Sequence, residues 1–190
     1  MNNTIKYYRD TAKEYIEKTI DCNMQAQYDM LLDYIRGGTL LDVGFGSARD
    51  MLYFQKEGFD VFGIDPTEEF CVHAKKLGLK VKQESIENYT TNKTFDVIWA
   101  CASLLHCKDL NVAFEKCYKL LNHNGIMYIS LKMGEGEDFV DGRYFHYVTK
   151  SDLNELLIKN GFLIVKESIT TDALSNRDIK WMNAIIKRKD

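Results

Sequence analysis

The feature that most constrains the fold is a regular alternation of short strand patterns and amphipathic helix patterns. TLLDV is followed by the helical pattern SARDMLYFQKEG, and DVFGID is followed by TEEFCVHAKKLG. A glycine closes each of these helices, as is common at a helix C-terminus. Strands that alternate with helices in this way are joined by crossovers and lie parallel. The sequence therefore predicts an α/β fold built on a parallel sheet.

The last two strand patterns predict a different pairing. FLIVKESIT and IKWMNAIIKR are separated by fewer than ten residues, whereas a parallel crossover needs about a dozen or more. We therefore expect these strands to form an antiparallel hairpin at one edge of the sheet. Such an edge differs from the all-parallel sheet of nicotinamide-binding domains.

Helix-start signals occur at three further places. A helical pattern follows Asp109, which is predicted to be its N-cap. Thr149, with Asp152 three residues later, is typical of a capping box. Before the first strand, residues 11–20 and 24–36 each place apolar side chains on one helical face. Two N-terminal helices are therefore expected.

Composition and charge narrow the class of protein. The chain is 45% apolar, but it has no apolar run approaching the roughly 18 residues that a membrane-spanning helix requires. The first twenty residues lack the apolar core of a secretory signal, so we expect a cytoplasmic protein. A formal net charge of −3 with scattered basic residues argues against a broad nucleic-acid surface. The five cysteines are an odd number without a C-x-x-C pair, which predicts free thiols and no metal site.

The segment LLDVGFGSARD predicts a ligand-binding loop. A strand ends at Asp42, Gly44 and Gly46 follow, and a helix begins at about Ser47. Glycine allows a tight turn and a close approach of the backbone to a ligand, and the N–H groups of a helix start attract a carboxylate or phosphate. Arg49 occupies the position of the third glycine in a dinucleotide fingerprint, which disfavours a nicotinamide site.

A second acidic residue ends the next strand pattern. Asp65 follows DVFGI, where a carboxylate can accept hydrogen bonds from both hydroxyls of an adenosyl ribose. The two strand ends are predicted to lie side by side. The alternative interpretation is that Asp42 and Asp65 only cap helices, a role that aspartate often takes.

The order of these motifs resembles that of class I S-adenosylmethionine (SAM)-dependent methyltransferases. The resemblance consists of D-x-G-x-G, the strand-terminal acid, FDVIWACASLLH and LNHNGIMYISLK, and it spans about residues 36–190. WACASLLH together with GRYF is most similar to the small type 11 and tellurite-resistance groups. The resemblance implies a Rossmann-like seven-stranded sheet in the order 3-2-1-4-5-7-6, with strand 7 antiparallel and helices on both faces. It also implies one domain over residues 1–190, with residues 1–36 as a helical lid or cap and residues 37–190 as the core.

The same resemblance implies roles for individual residues around SAM. Gly44 and Gly46 would contact the methionine part, and Asp42 would organise the loop and the ammonium group. Asp65 would bind the ribose. The complete set of implied cofactor-binding residues is Asp42, Gly44, Phe45, Gly46, Arg49, Asp65, Pro66, Ser85, Ile86 and Ala100.

Several members of this set depart from the family pattern or have an alternative interpretation. Ser85 stands where an aspartate usually meets the adenine amino group, so adenine recognition falls to Ser85 or to neighbouring Glu84, while the Ile86 backbone meets the ring. Phe45 replaces a common cysteine and is expected to pack over the ligand. Arg49 is either a bidentate ligand of the SAM carboxylate or a solvated surface residue.

Candidate acceptor-site residues follow the carboxyl ends of later strands, where ligands of open α/β sheets bind. His106 is predicted to be a general base, with a structural histidine as the alternative. Tyr144 and His146, with Arg143 beside them, lie in an aromatic-rich loop and complete the predicted catalytic set. Tyr7 and Tyr8 begin a segment that either closes over the site or packs as plain helix.

Three functions remain open on these residues. The first is methyl transfer to a small-molecule acceptor by in-line displacement, by a monomer or homodimer that binds neither nucleic acid nor membrane. The second is a catalytically weak SAM-binding module that regulates a protein partner, which the unusual Ser85 favours. A nicotinamide oxidoreductase is the third, and both Arg49 and the terminal hairpin disfavour it.

Overall fold

The computed structural model of the protein describes residues 3–173 and 178–189. Within them, the strands are β1 (Gly38–Val43), β2 (Phe59–Asp65), β3 (Lys80–Gln83), β4 (Phe95–Cys101), β5 (Leu121–Lys132), β6 (Glu137–Val140), β7 (Arg143–His146), β8 (Phe162–Thr171) and β9 (Lys180–Arg188). The helices are α1 (Asn3–Asp10), α2 (Ala12–Thr19), α3 (Gln25–Leu32), α4 (Arg49–Lys56), α5 (Glu68–Lys76), α6 (Leu110–Leu120) and α7 (Lys150–Lys159), with a short 3-10 helix at Leu104–His106.

Seven of the strands form one sheet in the order β3-β2-β1-β4-β5-β9-β8. The first five are parallel, and β9 runs antiparallel to both β5 and β8. Counted without the separate pair β6 and β7, this is the order 3-2-1-4-5-7-6. The predicted Rossmann-like fold and the terminal antiparallel hairpin are confirmed.

Two apolar layers cover the sheet. One face carries a cluster that includes Phe95, Phe114 and Phe162, which pack with α6 and α7. The other face is built around Trp99, whose indole stacks on the Tyr128 ring with centroids 3.9 Å apart. Covering both faces explains why FDVIWA is apolar at nearly every position.

The predicted helix starts at α6 and α7 are confirmed. The Asp109 carboxylate accepts hydrogen bonds from the backbone N–H groups of Asn111 and Val112. Thr149 and Asp152 form the reciprocal capping box. Helix α6 is therefore held firmly behind the loop that carries Leu104–His106.

The N-terminal region contains α1 in addition to the two helices expected from the sequence. Thr11 separates α1 from α2. The helix predicted over residues 24–36 is α3, which ends earlier, at Leu32. Helix α1 is stabilised from outside its own sequence, because the Tyr144 N–H donates to the Thr4 Oγ1 at 2.9 Å. Thr4 is the residue of α1 that is buried, so this helix depends on such tertiary contacts.

The segment around GRYF is a β-hairpin and not the expected irregular loop. Strands β6 and β7 pair antiparallel, and Asp141 and Gly142 between them have φ values of +52° and +80°. Two successive residues with positive φ are characteristic of a type I′ turn, for which Asp-Gly is a favoured sequence. The hairpin fixes the main chain of Tyr144 against α1.

No helix in the described ranges is long and apolar enough to cross a membrane.

Candidate functional site

The glycine loop after β1 depends on two positive φ angles. Gly44 has φ of +73° and Gly46 has φ of +51°. A Cβ atom placed on Gly44 would lie 2.5 Å from the Cβ of Ser103, a distance that real Cβ atoms do not tolerate. The Gly44 N–H donates to the Ile64 carbonyl at 2.7 Å. The loop therefore lies tightly between the ends of β2 and β4, and only glycine fits at position 44.

Asp65 connects the ends of β1 and β2. Its Oδ2 accepts a hydrogen bond from the Gly46 N–H at 3.1 Å, and its Oδ1 accepts one from the Thr67 N–H at 2.8 Å. Burial raises the pKa of Asp65 to about 6, although these backbone hydrogen bonds lower it. The carboxylate is therefore charged at neutral pH and becomes protonated in mild acid.

A cavity of about 400 Å³ opens at this edge of the sheet, within the size range of small-ligand sites. It brings together seven of the residues expected at the site: Gly44, Gly46, Asp65, Pro66, Ser85, Ile86 and His106. Its other lining residues come from the N-terminal helices, the ends of β1 and β2, α5 and the loops after β2, β3 and β4: Thr4, Ile5, Tyr8, Tyr15, Val43, Ile64, Thr67, Phe70, Glu84, Glu87, Asn88, Ala102, Ser103, Leu104 and Cys107.

Three predicted cofactor residues lie in the core and do not line this cavity. Phe45 is 6% exposed and its ring fills the space above Gly63, so it does not line this cavity, and its packing over the ligand stays a prediction. Ala100 is fully buried within β4, and Ala102 lines the cavity two residues later. Asp42 is 2% exposed, and burial together with the neighbouring Asp50 holds its pKa well above the usual range.

Arg49 is neither a free surface residue nor part of the main cavity. Its guanidinium binds Asp50 through two hydrogen bonds of 2.7 and 3.0 Å. Asp50 is also held by the Trp99 indole N–H and the Tyr28 hydroxyl, at 2.9 and 2.5 Å. This buried network orients Arg49 along a second cavity of about 110 Å³. Ala102 and the Tyr15 side chain line both cavities.

Asp65 ends β2 and His106 follows β4, two strands along the sheet, so the two residues mark different ends of the main cavity. Both ring nitrogens of His106 are engaged. Nδ1 lies 2.7 Å from the Tyr144 carbonyl oxygen and Nε2 lies 2.9 Å from the Tyr8 hydroxyl. A carbonyl oxygen can only accept, so Nδ1 carries the proton and Nε2 accepts from Tyr8. Burial lowers the pKa of His106 to about 4. The imidazole is therefore neutral. Its Nε2 lone pair accepts the hydrogen bond of the Tyr8 hydroxyl, and both residues line the cavity.

The other two predicted catalytic side chains do not line the cavity. Strand alternation directs the Tyr144 ring toward Phe139, 5.5 Å away, so this residue contributes its main-chain carbonyl and N–H to the site. His146 pairs with Glu137 in the hairpin. Arg143 lies over the Tyr7 ring at 4.3 Å and 3.2 Å from an Asp141 oxygen.

Tyr15 and Phe70 line the cavity and are aromatic residues that the sequence does not predict at the site. The Tyr15 ring lies 5.3 Å from both the Tyr8 and Phe70 rings, and it approaches within 3.1 Å of the position that a Cβ of Gly46 would take. Tyr15 was placed on an apolar helix face from the sequence, but its partner across the cavity was not. The seven-residue spacing of Tyr8 and Tyr15 was the available signal.

The lining of the main cavity has an acidic character. Asp65, Glu84 and Glu87 contribute carboxyl groups, and none of the described lining residues is lysine or arginine. No cluster of three or more potential metal ligands occurs within the described ranges. The cavity therefore favours ligands that are cationic or neutral over anionic ones.

A family model described as a methyltransferase domain matches residues 41–129. The ubiquinone biosynthesis O-methyltransferase of Bradyrhizobium diazoefficiens is 23% identical over 184 residues, which cover 85% of this chain and 69% of that protein. The protein of the same description from Nitrobacter winogradskyi is 24% identical over 159 residues, which cover 72% of this chain and 61% of the relative. The match extends beyond the glycine loop in both relatives.

Solved structures share the fold. The Burkholderia thailandensis 1,6-didemethyltoxoflavin-N1-methyltransferase, solved with 1,6-didemethyltoxoflavin and S-adenosylhomocysteine, superposes with a TM-score of 0.81 at 19% identity, covering 98% of this chain and 85% of that one. A SAM-dependent methyltransferase of Clostridium acetobutylicum gives a TM-score of 0.73 at 14% identity, covering 97% and 100%. In the matched domain and in the strand order, the chain is similar to the class I family of SAM-dependent methyltransferases.

Proposed function

We propose that this methyltransferase acts on a small, neutral or cationic molecule bound at the His106 end of the main cavity, with SAM at the Asp65 end. The observation that carries the proposal is a single cavity whose two ends differ. A glycine cradle and a buried carboxylate form one end, and a neutral imidazole forms the other.

The residues at the first end fit SAM. A Cβ on Gly44 would close the cradle, and the Asp65 carboxylate has lone pairs beyond the two that accept backbone N–H groups, so it can bind ribose hydroxyls. Ser85 and Ile86 line the cavity, which supports their proposed contacts with adenine. Arg49 lines the second cavity, which supports its proposed contact with the SAM carboxylate. When bound, SAM supplies a methyl group on a positively charged sulfur, a charge that the acidic lining favours.

The protein contributes to the reaction by positioning the acceptor atom and by excluding water from the cavity. Methyl transfer needs an in-line approach of the acceptor atom, and correct placement alone accounts for a large part of such accelerations. Tyr8 and Tyr15 of the N-terminal helices cover the cavity, which supports a lid function for this region. The unprotonated Nε2 of His106, which accepts a hydrogen bond from Tyr8, supports a role for this histidine as the base.

A small acceptor agrees with what is known of similar proteins. The relatives named above are described as ubiquinone biosynthesis O-methyltransferases, and the Burkholderia enzyme was solved with bound 1,6-didemethyltoxoflavin. Asp65, Glu84 and Glu87 carry the charged groups of the described cavity lining and disfavour anionic acceptors. Arg143 and Lys132, the cations that act on His106, lie outside that lining. Neutral phenols and amines are therefore the expected substrate class.

Two measurements test the proposal in sequence. Calorimetry should show binding of S-adenosylhomocysteine and none of NADH, and an absence of S-adenosylhomocysteine binding would reject the cofactor assignment. A panel of neutral phenols, amines, carboxylates and thiols with methyl-labelled SAM should then give turnover on the neutral and cationic members. Turnover confined to carboxylates would contradict the charge argument.

A charge variant sharpens the second measurement. Glu84→Gln removes a lining carboxylate, so the preference for neutral over anionic acceptors should decrease. Glu115→Gln, an exposed change on α6 that does not touch the cavity, is the matched control and should leave the preference unchanged.

A further inference from the structure

The Tyr8–His106 contact joins two segments that are 98 residues apart in the chain. Tyr8 lies on α1 and His106 on the 3-10 helix after β4. The hydroxyl oxygen and Nε2 are 2.9 Å apart, and the two rings meet edge to face with centroids 5.4 Å apart. Both residues line the main cavity.

The direction of this hydrogen bond is fixed by the other side of the imidazole. The Tyr144 carbonyl holds the proton on Nδ1, so the Tyr8 hydroxyl must donate to Nε2. The phenolic oxygen has two lone pairs. Arg143 donates a hydrogen bond toward one of them, and the other is able to accept a hydrogen bond from a molecule in the cavity. Tyr8 therefore stands between the cavity and the basic nitrogen.

We propose that Tyr8 is a catalytic residue that relays the proton of an acceptor hydroxyl to His106. The proposal rests on the function proposed above and specifies the acceptor as a hydroxyl compound. His106 is the final proton acceptor, and the Tyr144 carbonyl is the group that positions it.

The transfer balances in atoms and charge. A lone pair of the acceptor oxygen forms the new bond to the methyl carbon, and the carbon–sulfur bonding pair remains on sulfur. The acceptor O–H proton passes to the Tyr8 oxygen while the Tyr8 proton passes to His106 Nε2. One positive charge leaves the sulfur and one appears on the imidazolium, so the net charge within the cavity does not change.

The surroundings keep His106 unprotonated before the reaction. Burial is the main cause of its lowered pKa, and Arg143 and Lys132 add to it, whereas the hydrogen bond to Tyr144 opposes it. Burial also raises the pKa of Tyr8, which Arg143 lowers and Asp65 and Tyr7 raise. The tyrosine therefore retains the proton that it must pass on, and the histidine retains the lone pair that must receive it.

Tyr8→Phe removes the hydroxyl and keeps the ring that packs against Tyr15 and Phe70. We expect kcat for a neutral phenol to fall by about 100-fold, the scale of a lost general base, while KM and the Kd for S-adenosylhomocysteine change less than about threefold. Tyr7→Phe, the same change at the adjacent residue outside the cavity lining, should leave kcat intact. An unchanged kcat with a raised KM would show that Tyr8 only fastens the helix, and would overturn the relay.

A second measurement does not depend on turnover. Nitrogen-15 NMR of the protein alone should show His106 with the proton on Nδ1 and no imidazolium above pH 5, and the Nε2 resonance should shift in Tyr8→Phe. A proton on Nε2 would overturn the relay even in an active enzyme. If the wild-type protein did not bind S-adenosylhomocysteine, the proposed function would be rejected instead. Failure of the relay and failure of the proposed function are therefore distinguishable. Absence of methylation of every hydroxyl compound would also overturn the relay.

Discussion

The two ends of the main cavity are built in different ways. At the Asp65 end, the loops after β1, β2 and β3 come from neighbouring parallel strands, and their main-chain groups bind one another directly. At the His106 end, α1, the loop after β4 and the β6–β7 hairpin come from three distant parts of the chain. The first end is fixed by sheet topology, whereas the second depends on a few tertiary hydrogen bonds.

This difference has consequences for motion. A hydrogen bond of the kind that links Thr4 to the Tyr144 N–H, or Tyr8 to His106, contributes about 0.5–1.5 kcal/mol net. Helix α1 is therefore attached more weakly than any strand of the parallel sheet, and segments that open for ligands are drawn from such weakly attached elements. We therefore expect the cofactor end to be more rigid than the acceptor end.

The largest effect is expected from the glycine cradle. In Gly44→Ala, the new Cβ would meet the Ser103 Cβ at 2.5 Å in a backbone conformation with φ of +73°. Binding of S-adenosylhomocysteine should become at least about 100-fold weaker, which calorimetry measures directly. Near-normal affinity would show that the loop can shift and that the cradle is not rigid.

Gly78→Ala is the matched control for this change. Gly78 has a similar φ of +78°, but no atom lies within 4 Å of the position of its Cβ. We expect a destabilisation of about 1–2 kcal/mol, the cost of an L-residue in this conformation, measured by urea unfolding. Ligand affinity should not change.

The next largest effect on S-adenosylhomocysteine binding is expected at Asp65, and this effect depends on pH. Asp65→Asn should weaken S-adenosylhomocysteine binding by about 1–3 kcal/mol, the usual penalty for losing a buried hydrogen-bonding partner. Because burial raises the pKa of Asp65 to about 6, wild-type affinity should also fall as the pH drops through 6. The variant should lack this dependence, and a pH dependence retained in full would remove Asp65 from the binding site.

Stability of the unliganded protein should show the opposite trend. A folded pKa above the unfolded value of 3.8 means that Asp65 stabilises the native state most at low pH, and that this contribution is lost as the pH rises through about 6. The difference in unfolding free energy between wild type and Asp65→Asn should therefore change in this window. Urea unfolding at pH 5 and pH 7 measures it.

The difference between the two ends of the cavity also explains which site residues could be predicted from the sequence. Gly44, Gly46 and Asp65 lie at strand ends within one alternating pattern, so their proximity follows from parallel topology alone. Phe45 and Ala100 were assigned to the ligand from their position in a motif, but the side-chain direction that buries them depends on neighbours such as Gly63. Local spacing predicts which loops meet, and not which side chains turn inward.

At the other end, the sequence identified single residues without their partners. His106 was proposed as a base, but its link to Tyr8 spans 98 residues and has no local signal. The hairpin was missed although Asp141-Gly142 is a favoured type I′ turn, because its flanking residues lack a clear apolar alternation. Without the hairpin, the alternation of side chains along β7 was not considered, and Tyr144 and His146 were assigned to the cavity.

A smaller effect is expected at Tyr15, which lies between the two regions. Its ring contacts Phe70 and covers Gly46, and an aromatic contact of this kind contributes about 0.5–1.5 kcal/mol. Tyr15→Ala should weaken S-adenosylhomocysteine binding by about three- to tenfold, measured by calorimetry. Tyr34→Ala, at an exposed position on the surface, should have no effect. Tighter binding in Tyr15→Ala would show that the ring obstructs the ligand and does not cover it.

The smallest effect is expected at Tyr144, where the main chain and the side chain have separate roles. Burial and the Glu137 carboxylate raise the pKa of its phenol to about 12, so the hydroxyl keeps its proton, and its ring packs against Phe139 away from the cavity. Tyr144→Phe leaves the carbonyl that binds His106 in place, and kcat should stay within about twofold of wild type, in contrast to Tyr8→Phe. A large loss of kcat, without loss of folding by circular dichroism, would place the phenol itself in the reaction. The acceptor end would then be built from hairpin side chains as well as from the hairpin backbone.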